Sequence, residues 1–382
     1  MAYTIIHSEV ESALASFETH SFDAVLCDPP YHLTSSKDSK AGFMGHHWDG
    51  GDIAFKPELW NSVLRVLKPG GYLLAFGGTR TFHREMMAIE DGGFELMDTL
   101  AWFFTRSTPK SHNIGAAIDK KLGGKNIRNG PPVVNTYDGH LRNPDNCTSF
   151  DAIEDAQWGH KKSGHSLPTI VLETDTGQRW AGHKTALRPT YEPIILAHKP
   201  LYKSYADNAI KYGCGALNVD QCRIPLRGEE NLKGGKGALL SHVRDNSEAS
   251  RPFSYTQSPL GRWPTNVLLS EEAAAELDSK VAGADRFFYV PKVSSKERNA
   301  GCEAIKNNHP TLKPLELARY LATLIQPPYL DRPRRILIPF CGSGSEMIGA
   351  LQAGWEDVVG IDKTEEYTLV AQERINYWMT KK

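Results

Sequence analysis

The tetrapeptide Asp28-Pro29-Pro30-Tyr31 follows a short apolar run, FDAVLC, and joins a carboxylate, a locked turn and an aromatic face. This set suits one demanding task, making the exocyclic amino group of a nucleobase nucleophilic. The lone pair of such a group is delocalised into the ring. A site must therefore offer acceptors to both amino protons, drawing the nitrogen toward tetrahedral geometry. The carboxylate of Asp28 and the backbone carbonyl of Pro29 can be those acceptors, and two prolines keep the carbonyl aimed. Tyr31 offers a flat face on which an extruded base can stack. Taken alone, the same residues also describe a rigid Asp-Pro turn packed by a tyrosine.

A second motif, FCGSGSEMIG from Phe340 to Gly349, lies between an expected strand, RRILIPF, and an expected helix. Its glycines permit a tight turn and a close approach of ligand to backbone. The helix start offers free N–H groups to a carboxylate or phosphate. Asp362 ends the next expected strand, about 20 residues on, where an acid can grip ribose hydroxyls. The third glycine comes late, at Gly349, so the spacing is not that of a nicotinamide or flavin fingerprint. The pair favours an adenosine-containing ligand. The third motif, His309-Pro310-Thr311-Leu312-Lys313-Pro314, precedes a helix and by itself reads as a proline-rich helix entry with a Thr311 cap.

Strands and helices must alternate to hold these motifs. FDAVLCD reads as a buried parallel strand, PELWNSVLRVLKPGG as a helix with Pro57 in its first turn, and YLLAFGG as a strand. TRTFHREMMAIEDGGF reads as a helix and ELMDTLAWFF as a strand. This β-α-β-α-β rhythm predicts a mostly parallel sheet covered by helices. From about Arg106 to Arg188 periodicity is weak, and YEPIILAHK, residues 191–199, is a clear strand after it. Residues 200–308 are again irregular; GEENLKGGKGALLS reads as a mobile loop, SEEAAAELDSK as a helix capped by Ser270, and RFFYVPK as a strand. The rhythm returns in PTLKPLELARYLATLIQ (helix), RRILIPF (strand), SEMIGALQAG (helix), DVVGID (strand) and TEEYTLVAQERINYWM (helix).

With 382 residues, 40% hydrophobic and 23% charged, the chain can bury one large core with insertions or two domains. A net charge of −1 announces no nucleic-acid binder, so any such surface must be local. Arg106, Lys110, Lys120, Lys121, Lys125, Arg128 and Arg142 stand against only Asp119 and Asp138, and form the best strand-gripping segment. Lys161, Lys162, Arg179, Lys184 and Arg188 form a second. A solvated loop region explains either equally well. The six cysteines are scattered without a CxxC pair, as in a reduced, intracellular protein, and neither a signal peptide nor a membrane span is expected. His46, His47, His160, His165 and His183 lack metal-ligand spacing, and no metal is expected.

In the order DPPY, HPTLKP, FCGSGS and GID, the chain resembles the permuted β class of amino-group DNA methyltransferases, over about half its length. LKPGGYLLAFGGTRTFHR, TPKSHNIGAAIDK, ALRPTYEPIILAHKPL, GALNVDQCRI and RWPTNVLL are similar to a phage- or prophage-type branch. The resemblance implies an α/β fold with a Rossmann-like S-adenosylmethionine methyltransferase sheet, permuted motif order and an irregular inserted target-recognition region. It divides the chain into a catalytic half (1–108), a basic insertion (109–186), a returning strand (187–200), a target-recognition region (201–305) and a cofactor half (306–382).

By the same resemblance Asp28, Pro29, Pro30 and Tyr31 would hold the amino group and stack the flipped base. Phe340, Cys341, Gly342, Ser343, Gly344 and Ser345 would hold S-adenosyl-L-methionine, Asp362 its ribose, and Thr311 and Lys313 would sit near its methionine end. Trp102 and Phe103 would line the base pocket or serve as core aromatics, and Lys110, Lys120, Lys121 and Arg128 would contact DNA. His7-Ser8-Glu9 stands where the family often has Gly-Asp, and Ser345 where many relatives have threonine. The implied reaction is direct displacement, preferentially at N6 of adenine, with N4 of cytosine as the alternative. A nucleophilic cysteine after proline, as cytosine-C5 enzymes use, is missing. A non-catalytic DNA-binding module, an RNA or protein methyltransferase and a nucleotide-dependent oxidoreductase are the remaining readings. DNA is the implied partner, the setting a bacterial or phage-infected cytoplasm, and a homodimer stays open.

Overall fold

The computed structural model describes residues 2–32, 51–105, 111–124, 127–129, 169–227, 258–292, 297, 299–302, 307 and 312–380. Two compact units emerge, one formed by Met1–Phe103 with Glu192–Lys382, the other by Phe104–Tyr191. Among the described residues no helix is long and apolar enough to cross a membrane.

The larger unit is built on an eight-stranded sheet. In chain order its strands are β1 (Ala2–His7), β2 (Phe22–Cys27), β3 (Leu67–Phe76), β4 (Glu95–Phe103), β7 (Tyr191–His198), β8 (Val267–Leu269), β9 (Arg335–Pro339) and β10 (Asp357–Asp362). Across the sheet they run β1-β10-β9-β2-β3-β7-β4-β8. β1, β10, β9, β2 and β3 pair parallel, and β7 returns antiparallel to β3. β2 is buried at all six positions because both sheet faces are covered. Ala24 and Leu26 point to one apolar cluster; Phe22, Val25 and Cys27 point to the other.

Three helices, α1 (Val10–Ser16), α2 (Pro57–Val66) and α3 (Phe82–Asp91), cover the second cluster. α2 buries Leu59, Trp60, Val63 and Val66, spaced by three and four residues. The opposite face is covered by α8 (Leu315–Leu324) and α9 (Ser345–Gln352), with α10 (Glu365–Thr380) against the same cluster. The expected apolar face of α8, Leu315, Ala318, Leu321, Leu324 and Ile325, is buried throughout. Gly349 of α9 makes the α8–α9 crossing close, since a Cβ there would lie 2.6 Å from Ala318.

β3 begins five residues before the expected YLLAFGG, because Leu67 already pairs with Phe22 and the chain bends at Gly70, with φ +74°. RFFYVPK is not a strand. Ala284–Phe287 forms a 3-10 turn, Tyr289 makes a single bridge to Leu268, and Pro291 then brings no N–H to a ladder. β1, α1 and a helix at Tyr205–Tyr212 (α6) were not foreseen. α7 (Glu271–Lys280) starts where Ser270 Oγ accepts the Ala273 N–H, as expected. GEENLKGGKGALLS lies outside the described residues.

The smaller unit is not structureless either. It holds α4 (Ile114–Lys121), α5 (Asp175–Arg179) and an antiparallel pair, β5 (Ile127–Asn129) and β6 (Thr169–Val171). Asn113 caps α4 and Thr174 caps α5 through side-chain acceptors. Asp119, counted above as one of two acids in a basic stretch, is fully buried. Its Oδ1 accepts the N–H groups of Glu173 and Thr174 and the Thr174 hydroxyl. That carboxylate fastens α4 to α5 and leaves exposed Lys120 and Lys121 without its surface charge.

At the end of the sheet away from the motifs, Asp23 joins three parts of the chain. Its buried carboxylate meets Lys68 Nζ at 2.7 Å, Arg332 Nη2 at 2.8 Å and the Arg335 N–H at 2.8 Å. Removing it takes the carboxylate from Lys68, Arg332 and the Arg335 N–H, and leaves Arg332 with the Tyr212 carbonyl as acceptor. Asp23→Ala should therefore lower unfolding stability in urea by about 3 kcal/mol; a loss under about 1 kcal/mol would show that water replaces the carboxylate.

Candidate active site

Strand register brings the scattered motifs to one sheet edge. Ala24 of β2 is level with Ile336 of β9, so four residues on, Asp28 is level with Phe340. Ile361 of β10 is level with Pro339, which brings Asp362 to the same height. Cys27 is level with Ala75 of β3, and Phe76 faces Ile194 of β7, which places Glu192, near the start of β7, just beyond the end of β3. From β9 the chain order runs outward to β10 and from β2 outward to β3. The crevice between β9 and β2 is therefore a switch point, where open α/β sheets take their ligands.

Asp28 and Tyr31 meet directly. Tyr31 Oη donates to Asp28 Oδ1 at 2.5 Å, and Thr81 Oγ1, just before α3, donates to the Tyr31 carbonyl at 2.8 Å. Pro29 is buried and Pro30 half-buried between them. Burial, reinforced by the Asp28 charge, holds the Tyr31 hydroxyl well above the usual phenol range, so it stays a donor.

Lys313 lies on the same carboxylate rather than out in solvent. Its Nζ is 3.1 Å from Asp28 Oδ2, 3.1 Å from Glu192 Oε2 and 3.0 Å from Tyr31 Oη. The side chain is 4% exposed, and the ammonium sits 4.6 Å from the centre of the Phe76 ring. Burial alone would lower this lysine; the charges of Asp28 and Glu192 outweigh it and keep the ammonium protonated. Glu192 escaped the motif reading. The strand YEPIILAHK was visible, but nothing in its pattern marks the second residue as part of a site.

The glycine loop has the backbone of a ligand cradle. Phe340, Gly342 and Gly344 have φ of +62°, +48° and +82°. A non-glycine residue held at positive φ signals local strain that its surroundings maintain. Asp362 Oδ2 accepts the Gly342 N–H at 2.8 Å and Oδ1 accepts the Thr364 N–H at 2.8 Å. Each oxygen keeps a lone pair for a hydroxyl donor, so the carboxylate fits a ribose. Behind the loop Arg374 of α10 is fully buried. Its Nη1 donates to the carbonyl and hydroxyl of Ser343 and to the Ser345 hydroxyl. Sequence reading missed Arg374, which looks like any polar residue of an amphipathic helix. Cys341 is buried with its thiol pushed up by burial, which leaves it a packing residue.

The other named residues divide. Trp102 and Phe103 lie on β4, with β3 and β7 between it and β2; Trp102 packs against the core and Phe103 is 36% exposed. Lys120 and Lys121 end α4 in the smaller unit. Thr311, Lys110 and the side chain of Arg128 lie outside the described residues, as do His46, His47, His160 and His165. Among the described residues no group of three His, Cys, Asp or Glu could hold a metal ion.

Glu346, in the first turn of α9, is buried, and burial followed by the Asp28 charge raises its carboxyl to about 7. The folded protein therefore binds this proton more tightly than the unfolded chain, whose carboxyl titrates near 4.5. Stability contributed at this position falls as pH rises between those values. Glu346→Gln has no such proton to lose. Its melting temperature relative to wild type should rise from about pH 4.5 to about 7 and level off above. A difference independent of pH would show that Glu346 is ionised throughout.

The DNA methylase family N6_N4_Mtase matches residues 22–373. The type II methyltransferase M2.DpnII of Streptococcus pneumoniae is 28% identical over 211 residues, 50% of this chain and 71% of that protein. The type II methyltransferase M.HindIII of Haemophilus influenzae is 25% identical over 224 residues, 56% of this chain and 53% of that one. Among solved structures, the cytosine-N4-specific PvuII DNA methyltransferase superposes with a TM-score of 0.48 at 12% identity, covering 98% of this chain and 86% of that one. M1.HpyAVI in its SAM complex gives 0.40 at 13%, covering 98% and 100%. With the family matched across 352 residues, the whole span that carries Asp28, Lys313, the glycine loop and Asp362, the chain belongs to the N6/N4 DNA methylase family.

Proposed function

We propose that this DNA methyltransferase methylates N6 of adenine, using Asp28, Pro29 and Tyr31 as the groups that hold the flipped base. The observation that carries the reading is the Asp28–Tyr31 hydrogen bond at the sheet's switch point, level with the glycine loop. S-adenosyl-L-methionine is the methyl donor of this family, and when bound it supplies a sulfonium methyl group as electrophile. The Phe340–Ser345 loop and Asp362 would hold it, through backbone N–H groups and the ribose hydroxyls.

The protein's own residues would then act by position and hydrogen bonding. Asp28 and the Pro29 carbonyl accept hydrogen bonds from the two amino N–H groups, and Tyr31 gives the base a stacking face. No side chain needs to become covalently attached. Asp28 at the head of the motif favours adenine, because the family leans toward Asp for adenine and Ser for cytosine. N4 of cytosine is the second reading, since the same two acceptors fit that amino group. The exposed Lys120 and Lys121 of the smaller unit, together with Lys110 and Arg128, would grip phosphates.

The test is nucleoside mass spectrometry of unmethylated genomic DNA after incubation with the protein and S-adenosyl-L-methionine. N6-methyladenine is expected, and Asp28→Ala should lower its formation by roughly a thousandfold while cofactor affinity by calorimetry holds. N4-methylcytosine instead would transfer the assignment to the second reading. Unchanged turnover in Asp28→Ala would remove Asp28 from the chemistry.

A further inference from the structure

Asp28 is already engaged on both oxygens. Tyr31 Oη holds Oδ1, and the Lys313 ammonium holds Oδ2. A target amino group entering the site must share or take over a carboxylate that already carries a tyrosine hydroxyl and a buried ammonium. The lysine cannot be left behind cheaply, because a 4% exposed ammonium that loses its carboxylate meets little water. A second carboxylate is in place. Glu192, on β7 rather than on either motif strand, has Oε2 3.1 Å from the same Nζ, the distance found for Asp28.

Among the described residues no third carboxylate pairs with Lys313. Its remaining polar neighbour is Tyr31 Oη at 3.0 Å, and the Phe76 and Tyr31 rings stand 4.6 and 5.3 Å away. Glu346 and Glu85 are both buried, and burial followed by the Asp28 charge raises both carboxyls.

We propose that Lys313 holds the Asp28 oxygen that the target amino group comes to use, and that Glu192 is the positioning residue that takes over its ammonium when the base reaches Asp28. The change of partner needs little motion, since both carboxylates already touch Nζ. It keeps the pocket's charge constant while Asp28 changes donors. The proposal rests on the reading of Asp28 as acceptor for the base.

The test measures initial rates of methyl transfer from labelled S-adenosyl-L-methionine into unmethylated genomic DNA, with the full chain. Wild type, Glu192→Gln, Lys313→Met and the double variant are compared. Glu192→Gln ties Lys313 to Asp28, so KM for DNA should rise about tenfold, with cofactor affinity by calorimetry within about twofold of wild type. Glu192→Asp, which keeps the charge, should recover part of that rise.

In the Lys313→Met background Glu192→Gln should add less than about twofold, because Glu192 acts through the lysine. Multiplicative losses in the double variant, or an unchanged KM in Glu192→Gln, would overturn the proposal. Thermal unfolding identifies any variant that does not fold, and Lys313→Gln replaces Lys313→Met in that case. No transfer by wild-type protein would fail the underlying reading instead, and the lysine exchange with it.

Discussion

A lysine ammonium removed from water must be met by negative charge, and Lys313 is met by two carboxylates from different strands. That requirement ties the molecule together. Asp28 comes from the end of β2, Glu192 from β7, and Lys313 from the segment before α8, nearly 300 residues after Asp28. These three parts meet only if β2, β3 and β7 are neighbours and α8 lies over the same sheet edge. The parallel register of β2 on β3 and the antiparallel return of β7 supply that arrangement. The polar cluster is thus a constraint on the fold as much as a product of it.

The cofactor side obeys a different constraint. Positive φ at three alternate residues, Phe340, Gly342 and Gly344, turns the chain sharply out of β9 into α9. Such a loop persists only when its surroundings hold it. Arg374 holds it from behind through Ser343 and Ser345, and Asp362 holds it from the side through the Gly342 N–H. Both sides converge because Asp28 and Phe340 sit level on adjacent parallel strands. The permuted order of the motifs along the chain has no consequence in space, since strand neighbours, not sequence neighbours, build the crevice.

Periodic elements were legible in the sequence because burial repeats with a period. The faces of α2 and α8, the all-apolar β2 and the Ser270 cap follow from apolar spacing and capping chemistry. What escaped notice depends on tertiary contact. Glu192 and Arg374 sit in ordinary amphipathic patterns, and only the fold shows that one faces Lys313 and the other the glycine loop. Asp119 looked like surface charge until α5 came to lie on it. RFFYVPK had strand composition but only one bridge to the sheet, so composition misled. The resemblance puts Lys313 near the cofactor's methionine end, and the fold adds that its ammonium lies on Asp28.

The molecule therefore joins a glycine loop, a rigid acceptor turn and a buried cation that links the turn to the returning strand. In the proposed function Asp28 receives the target amino group. The most direct measurement is a crystal structure of the protein with a non-reactive analogue of S-adenosyl-L-methionine and DNA carrying its target. The expected result is an extruded base whose amino nitrogen lies within hydrogen-bond distance of Asp28 and the Pro29 carbonyl, stacked on Tyr31. A base that remains in the helix, or that enters elsewhere while Lys313 stays on Asp28, would contradict it.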